Sequence, residues 1–188
     1  MTWLIIAFGY LVGSIPTAYL AGRLLRGIDI REVGDGNMGA QNAFRQLGPA
    51  IGISVGLIDA AKGALPIVLG HAAGIPQIGT FVAGGAAVVG HNWPILLGFR
   101  GGRGEATTIG ILLTVAPIPL LIAAVPATAV LIWTRHVTIS SAVLFIPYVL
   151  LSWWFKVGAG IITYSLALLL LVAFTHILTS KRVTPRQA

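Results

Sequence analysis

The segment that decides the fold spans residues 106–134 and reads ATTIGILLTVAPIPLLIAAVPATAVLIWT. It contains 29 residues and no charged side chain. A single helix of that length would extend about 43 Å, whereas the hydrocarbon core of a bilayer is about 30 Å thick. The segment is therefore too long for one upright span and short for two. Pro117 and Pro119 lie near its centre and predict a break, which would turn the segment into a tight helical hairpin.

Charge-poor segments on both sides of this one are long enough to cross a bilayer, because a span needs roughly 20 helical residues. They are residues 1–23, 49–70, 78–98, 136–155 and 158–178. The second also contains Asp59 and Lys62, whose i,i+3 spacing predicts a local ion pair. A functional contact is the alternative for these two residues, because charge within a membrane is costly.

The composition excludes most other classes of protein. Of the 188 residues, 56% are hydrophobic and only 9% are charged, against about 25% charged residues in soluble proteins. So few polar side chains cannot cover a soluble domain, and so many apolar ones exclude a disordered chain. Cysteine is absent, which excludes disulfides, a thiol nucleophile and cysteine-ligated metals. The pairs Gly9–Gly13 and Gly52–Gly56 predict close helix packing in an all-α integral membrane protein.

The positions of the basic residues indicate the orientation of the chain. If residues 106–134 cross twice, there are seven transmembrane helices, and Lys156 alone among the loop cations lies outside. The cations on the cytoplasmic side are then Arg23, Arg26, Arg31, Arg45, Arg100, Arg103, Arg135, Lys181, Arg182 and Arg186. A single crossing would move Arg135 and the three C-terminal cations outside. The positive-inside rule therefore favours seven helices, with the N-terminus outside and the C-terminus in the cytoplasm. Because the first cations follow the first apolar run, that run is interpreted as a span and not as a signal peptide.

No internal repeat or linker divides the chain, so residues 1–188 are predicted to form one polytopic domain. Cytoplasmic motif loops are expected near residues 27–48, 98–106 and 134–141, and the first two combine glycine with arginine. Glycine-rich backbone can point several N–H groups at one oxyanion, and arginine adds a charged fork of donors. The net charge of +7 is therefore assigned to topology and to phosphate binding beside the membrane, not to nucleic acid.

Several of these features have simpler alternatives. Residues 34–39 match G-x-G-x-x-G, but no βαβ unit surrounds them, so a dinucleotide site is not expected. Arg100 and Arg103 are also compatible with stop-transfer charges at a helix end, although the interleaved glycines favour an anion site. His91 and His176 lie near the inner face, where each is either a structural residue or an acid, base or phosphate donor.

The motifs together resemble the bacterial membrane glycerol-3-phosphate acyltransferases that use acyl phosphate as donor. The resemblance covers about 170 residues in the order and near the spacing of that family. It rests on Gly13-Ser14-Ile15-Pro16, Asp29-Ile30-Arg31, Gly34 to Arg45, Gly90-His91 with Pro94, Phe99 to Gly104 with Ala106-Thr107, and Thr134 to Ser141.

The resemblance implies a multi-pass enzyme of the bacterial inner membrane whose active site faces the cytoplasm. It would move a fatty acyl group from acyl phosphate to the 1-hydroxyl of glycerol 3-phosphate, giving lysophosphatidic acid and phosphate in phospholipid biosynthesis. The acyl chain would remain among membrane lipids, and no metal or other cofactor is expected because acyl phosphate is already activated. The implied catalytic residues are Arg45, Arg103, Ser141 and His176. The implied phosphate-binding residues are Gly34, Asp35, Gly36, Asn37, Gly39, Asn42, His91, Arg100, Gly101, Gly102, Gly104, Thr107 and Arg135.

The chain departs from the family pattern at several positions. Asp35 stands where the family usually has serine, Glu105 where it has a small apolar residue, and Thr179 where it has asparagine. Arg100 and Arg103 replace lysines, which keeps the charge and changes the geometry of the donors. Two alternatives therefore stay open. One is a non-catalytic or altered-substrate membrane paralogue that binds an anionic lipid or organic phosphate, and the other is an organic-phosphate transporter.

Overall fold

The computed structural model describes residues 1–180, and over that range the chain forms α-helices joined by short loops and 3₁₀ turns. The helices are α1 (Thr2–Gly13), α2 (Thr17–Arg26), α3 (Ala40–Leu47), α4 (Pro49–Ala72), α5 (Gln77–Asn92), α6 (Glu105–Val115), α7 (Pro117–Thr134), α8 (Val137–Trp154) and α9 (Ala159–Ser180). The predicted all-α architecture is confirmed. The cytoplasmic placement of Lys181, Arg182 and Arg186 concerns residues outside the described range.

Six helical segments within residues 1–180 are long and apolar enough to cross a membrane. They are Thr2–Arg26, Pro49–Ala72, Gln77–Leu97, Pro117–Thr134, Val137–Trp154 and Ala159–Thr179. Helix α6 is apolar but only 11 residues long. The break expected at Pro117 is confirmed, because α6 ends at Val115 and α7 begins with Pro117. Seven crossings and the orientation of the two termini stay predictions.

The first span, expected as one helix over residues 1–23, is divided into α1 and α2 by Ser14, Ile15 and Pro16. Pro16 has no N–H to donate and disfavours the helical conformation of the residue before it, so the backbone hydrogen bonding of a helix cannot pass through. The carbonyl of Ile15 is left without a helical partner and accepts a hydrogen bond from Lys62 Nζ at 2.6 Å. A side chain of α4 thus donates a hydrogen bond to the backbone at the break in the first span.

The predicted pair of Asp59 and Lys62 is confirmed, with Lys62 Nζ 2.6 Å from Asp59 Oδ1. Only 1% of Asp59 and 4% of Lys62 are exposed. Thr17 Oγ1 at the start of α2 donates a third bond, to Asp59 Oδ1 at 2.9 Å. A buried ion pair is tolerable only when further hydrogen bonds satisfy both partners, and here they come from the broken first span. The pair therefore has a structural role in joining α4 to α1 and α2.

Glycines bring helix backbones into direct contact. A Cβ atom on Gly9 or Gly13 would overlap the backbone of α5 at Ala83 or Ala87. The predicted packing role of this GxxxG pair is therefore confirmed. Lipid offers little hydrophobic force between helices, so close contact supplies the dispersion energy that holds them together.

Helices α4 and α6 approach each other in the same way. A Cβ atom on Gly63 would overlap the backbone of Thr107, and one on Gly110 would overlap that of Ala60. Gly52, in the second predicted pair, lies equally close to α3. These contacts fix α6, short as it is, in the centre of the protein, where its N-terminus meets the loops at one end.

We expect Gly13→Ala to lower the thermal unfolding midpoint of the detergent-solubilised protein, because the added methyl forces α1 away from α5. A cost of about 1–3 kcal/mol is typical of such overpacking. Gly85→Ala is the matched control, because a Cβ at that helical position has nothing within 4 Å. Equal midpoints for the two variants would contradict the packing role of Gly13.

Candidate functional site

The side-chain amide of Asn42 holds the first motif loop in place. The Nδ2 atom of Asn42, a residue that is 1% exposed, lies 3.0 Å from each of the carbonyl oxygens of Ile30, Val33 and Asn37, so its two hydrogens are shared among three acceptors. Buried carbonyls need such partners, because leaving them unsatisfied costs about 1–3 kcal/mol each. Asn42, predicted as a phosphate ligand, thus has its amide nitrogen engaged in shaping residues 30–37.

Asp29 fixes the start of the same loop. Its carboxylate accepts from the backbone N–H, Nε and Nη2 of Arg31 at 3.0, 2.9 and 2.7 Å, and from Arg23 Nη2 at 3.0 Å. The side-chain hydrogen bonds from Arg31 hold the pKa of the Asp29 carboxyl at about 2, although burial acts in the opposite direction. Arg31 is thereby oriented and also lies over the ring of Tyr19 at 4.9 Å.

The second motif loop folds back onto the end of α5. The N–H of Gly102 donates to the carbonyl of His91 at 3.1 Å. A Cβ on Gly101 would overlap the same carbonyl, and one on Gly102 would overlap the His91 imidazole. Gly104 has a φ of +80°, a conformation that glycine adopts without strain. The glycines of this loop therefore permit a tight return of the chain against the end of α5.

Two threonines of α9 accept hydrogen bonds from the second loop and from the end of α5. Asn92 Nδ2 donates to Thr175 Oγ1 at 3.0 Å, and Arg103 Nε donates to Thr179 Oγ1 at 3.1 Å. Thr179 departs from the family pattern, and none of the sequence motifs includes Thr175. Their i,i+4 spacing near the polar end of an apolar helix is the sequence signal that a shared face exists.

The loops and helices enclose two cavities that share Asn37 and Arg103. The first, called here the arginine cavity, has a volume of about 720 Å³. Three guanidinium groups border it, from Arg31, Arg100 and Arg103, together with the polar side chains of Asp35, Asn37, Asn92, Thr175 and Thr179. Such a concentration of fixed positive charge suits an anionic group.

The second, called here the apolar cavity, has a volume of about 810 Å³ and lies among α3, α4, α6, α7 and α8. Its apolar lining includes Phe44, Ile53, Ile109, Leu131, Ile132 and Leu144. Polar groups also border it, namely Arg45, Asp59, His91, Arg103, Glu105, Arg135 and Ser141. It therefore suits a molecule with an apolar body and an anionic end.

Most of the predicted site residues line these cavities. Those bordering the arginine cavity are Asp35, Gly36, Asn37, Arg100, Gly101 and Arg103. Those bordering the apolar cavity are Asn37, Gly39, Arg45, His91, Arg103, Gly104, Arg135 and Ser141. The structure thus brings together three loops that are far apart in the sequence.

The other predicted residues lie behind the linings. Gly34 packs against Asn42, Gly102 against His91, and the fully buried Thr107 against Gly63 of α4. His176 acts electrostatically on Glu105, which does line the apolar cavity. In residues 1–180 the structure contains no group of three or more His, Asp or Glu side chains placed to hold a metal ion.

A hydrogen bond crosses the rim of the apolar cavity. Arg45 Nη2 of α3 donates to the backbone carbonyl of Arg135 at 3.5 Å. Arg135 itself has a φ of +56°, a left-handed conformation that is costly for a residue with a side chain. This conformation forms the left-handed C-cap that ends α7, and it turns the chain between α7 and α8 beside the cavity.

The two acidic departures have partners. Asp35 Oδ1 accepts the backbone N–H of Asn37 at 3.1 Å, which closes a local turn in the first loop. Burial raises the pKa of the Glu105 carboxyl, whereas its interactions with Ser141, His176 and Arg103 act in the opposite direction. Both carboxylates are therefore engaged by protein groups at the edges of the cavities.

We expect Asp29→Asn to lower the thermal midpoint at neutral pH by an amount corresponding to about 1–2 kcal/mol, because charged hydrogen bonds are lost. The pKa of Asp29 is lowered from 3.8 to about 2, so its stabilisation is complete well above pH 4 and is lost as the pH falls toward 2. The difference between wild type and variant should shrink over that interval. The nearby exposed Glu32→Gln is the control, and a difference that is independent of pH would contradict this role.

Comparison with known proteins identifies the family. The family model described as glycerol-3-phosphate acyltransferase matches residues 3–185. Glycerol-3-phosphate acyltransferase 4 of Dehalococcoides mccartyi is 46% identical over 182 residues, which is 97% of this chain and 98% of that protein. The glycerol-3-phosphate acyltransferase of Halalkalibacterium halodurans is 37% identical over 181 residues, or 93% of this chain and 87% of the relative.

The fold also matches crystal structures of PlsY (YgiH), an integral membrane glycerol 3-phosphate acyltransferase. The glycerol 3-phosphate form superposes with a TM-score of 0.85 at 30% identity, covering 96% of this chain and 90% of that one. The lysophosphatidic acid form gives a TM-score of 0.83 at 29% identity with the same coverage. The resemblance based on motifs is confirmed, and the chain belongs to the glycerol-3-phosphate acyltransferase family of integral membrane proteins.

Proposed function

We propose that the protein transfers a fatty acyl group from acyl phosphate to glycerol 3-phosphate, giving 1-acyl-glycerol 3-phosphate and inorganic phosphate. The observation that carries the proposal is the meeting of a cationic cavity and an apolar cavity at Arg103 and Asn37. A reaction between a water-soluble phosphate and a lipid-soluble acyl donor needs such a junction. By the same proposal the enzyme lies in a bacterial inner membrane with the site on the cytoplasmic side.

The arginine cavity suits the phosphate of glycerol 3-phosphate. Arg31 is held by Asp29, so its position is fixed before a ligand arrives. Arg100 and Arg103 supply further charge, and Asn37 borders the same space. Preorganised donors of this kind bind an oxyanion without a cost of reorganisation.

The apolar cavity suits the acyl phosphate. Side chains such as Ile109 and Leu144 would surround the hydrocarbon, whereas Arg45 and Arg135 would meet the phosphate at the rim. Burial of each methylene contributes about 0.8 kcal/mol, so the chain supplies much of the binding energy of the donor. Membrane lipid would deliver this substrate, because acyl phosphate is itself amphipathic.

The reaction follows from this arrangement. The 1-hydroxyl oxygen of glycerol 3-phosphate attacks the acyl carbon and loses its proton, which ends on the released phosphate or in water. The bond from that carbon to the phosphate oxygen breaks with its electron pair on phosphate. Arg45 and Arg103 stabilise the negative charge that develops on the carbonyl oxygen and the leaving group. Ser141 and His176 act on the acceptor or on the leaving phosphate. The acyl donor is already activated, so no covalent enzyme intermediate is needed.

The transporter alternative gains little from the structure. It predicts polar groups along a path through the bilayer, ideally in broken helices. The broken first span does meet Asp59 and Lys62, but these two neutralise each other and bind Thr17 and the Ile15 carbonyl. Their polar groups therefore serve the contact between helices.

Purified protein supplied with palmitoyl phosphate and glycerol 3-phosphate is expected to form 1-acyl-glycerol 3-phosphate and inorganic phosphate in equal amounts, measured by mass spectrometry and phosphate release. Acyl-coenzyme A and an acyl carrier protein thioester are the comparison donors and should give no product. The Dehalococcoides relative, assayed under the same conditions, controls for loss of activity in detergent. The proposal would be overturned if only a thioester gave product. It would also be overturned if none of the donors gave product while the relative was active under the same conditions.

Removal of the charge at the cavity junction should affect catalysis strongly. We expect Arg103→Gln to reduce kcat/KM by about 100-fold or more, the usual effect of deleting a donor that stabilises developing charge. Arg26→Gln removes an exposed cation of α2 that borders neither described cavity, and should change kcat/KM by no more than about twofold. Equal kinetics for the two variants would exclude Arg103 from the reaction.

A further inference from the structure

Glu105 has a position that the reaction described so far does not use. It is the first residue of α6, directly after the turn at Gly104, and its side chain lines the apolar cavity. The start of a helix favours a carboxylate, because the helix dipole and the free N–H groups there are positive. The residue is therefore held at the cytoplasmic end of the apolar cavity, beside the junction at Arg103.

The partner of this carboxylate is Ser141 of α8, which lines the same cavity. When Glu105 is ionised it can only accept hydrogen bonds, so a hydrogen bond between the two residues uses the single hydroxyl proton of Ser141. The oxygen of Ser141 then keeps its lone pairs for other donors. Glu105 thus determines that Ser141 accepts a hydrogen bond from a molecule in the cavity, and does not donate one to a phosphate.

Other groups near Glu105 influence whether its carboxyl is protonated. Burial raises the pKa of the Glu105 carboxyl, and this rise is opposed by Ser141, by His176 on α9 and by Arg103, which lies two residues earlier in the loop. The remaining charged or titratable groups around the same cavity are Arg45 on α3, Asp59 on α4, His91 on α5 and Arg135 after α7.

We infer that Glu105 is a positioning residue for the acyl transfer, because it fixes Ser141 as the acceptor of the proton of the attacking hydroxyl. Glu105 then takes up the proton that Ser141 gives away. This inference rests on the proposed function. The glycerol hydroxyl would donate to Ser141 while its oxygen attacks the acyl carbon. As the bond between the acyl carbon and the leaving phosphate breaks, the proton of the glycerol hydroxyl passes to Ser141, and the hydroxyl proton of Ser141 passes to Glu105. The carboxyl group then returns the proton to the released phosphate or to water.

The test compares Glu105→Gln, Ser141→Ala and the double variant with the wild type in the palmitoyl phosphate assay. Glutamine keeps an oxygen that accepts the Ser141 hydrogen bond but cannot take up a proton. Loss of a general base lowers rates by about 100-fold to 10,000-fold. We therefore expect Glu105→Gln to lower kcat at least about 100-fold, with KM for glycerol 3-phosphate and the thermal midpoint nearly unchanged. Glu32→Gln, an exposed carboxylate outside both described cavity linings, should leave kcat unchanged.

The double variant tests whether the two residues act as one unit. If the proton passes through both, the double variant should be no slower than the slower single variant by more than a few-fold. A kcat of Glu105→Gln equal to that of the wild type would overturn the inference and leave the proposed function intact. So would an effect confined to KM, or losses that multiply in the double variant. A wild-type protein that forms no product would overturn the proposed function, and the inference with it.

Discussion

The structure depends on one constraint, which is that a bilayer offers no hydrogen bonds to a backbone that leaves the helical conformation. The chain makes such a departure within its first span, between α1 and α2, where the carbonyl of Ile15 accepts hydrogen bonds from the N–H of Thr17 and from Nζ of Lys62 on α4. That cation needs an anion, which is Asp59, and the anion in turn binds Thr17 on the far side of the break. One interruption in the backbone therefore accounts for the charged residues inside the fourth helix.

The same requirement shapes the loops at the site. Their irregular backbone is completed by a few buried groups, above all the amide of Asn42 and the carboxylate of Asp29. Glycines allow the second loop to lie directly on His91. Because Asp29 holds Arg31 and Thr179 holds Arg103, these two arginines are positioned by the protein itself, and the energy of binding an anion is not spent on ordering them.

Patterns along the chain were enough to predict the spans, because their information is local. The charge-free lengths located the long helices, Pro117 located the break between α6 and α7, and the glycine pairs located close packing. The break at Pro16 was not predicted, since the apolar run continues through it. The contacts of Arg103 with Thr179 and of Asn92 with Thr175 join residues 76 and 83 positions apart, and only the folded chain reveals them. Asn42 shows the same limit, because its residue type suits a ligand and its burial makes it a support.

The sharing of Arg103 between the two cavities restricts how such a protein can diversify. A substitution at that position alters both compartments at once, so it cannot tune the preference for one substrate while preserving the other. Residues that border a single cavity do not have this coupling. Examples are Arg100 in the arginine cavity and Arg135 in the apolar cavity. Under the proposed function, variation in acceptor and donor preference among related chains should therefore accumulate at these outer positions, while the junction changes only together with the chemistry itself.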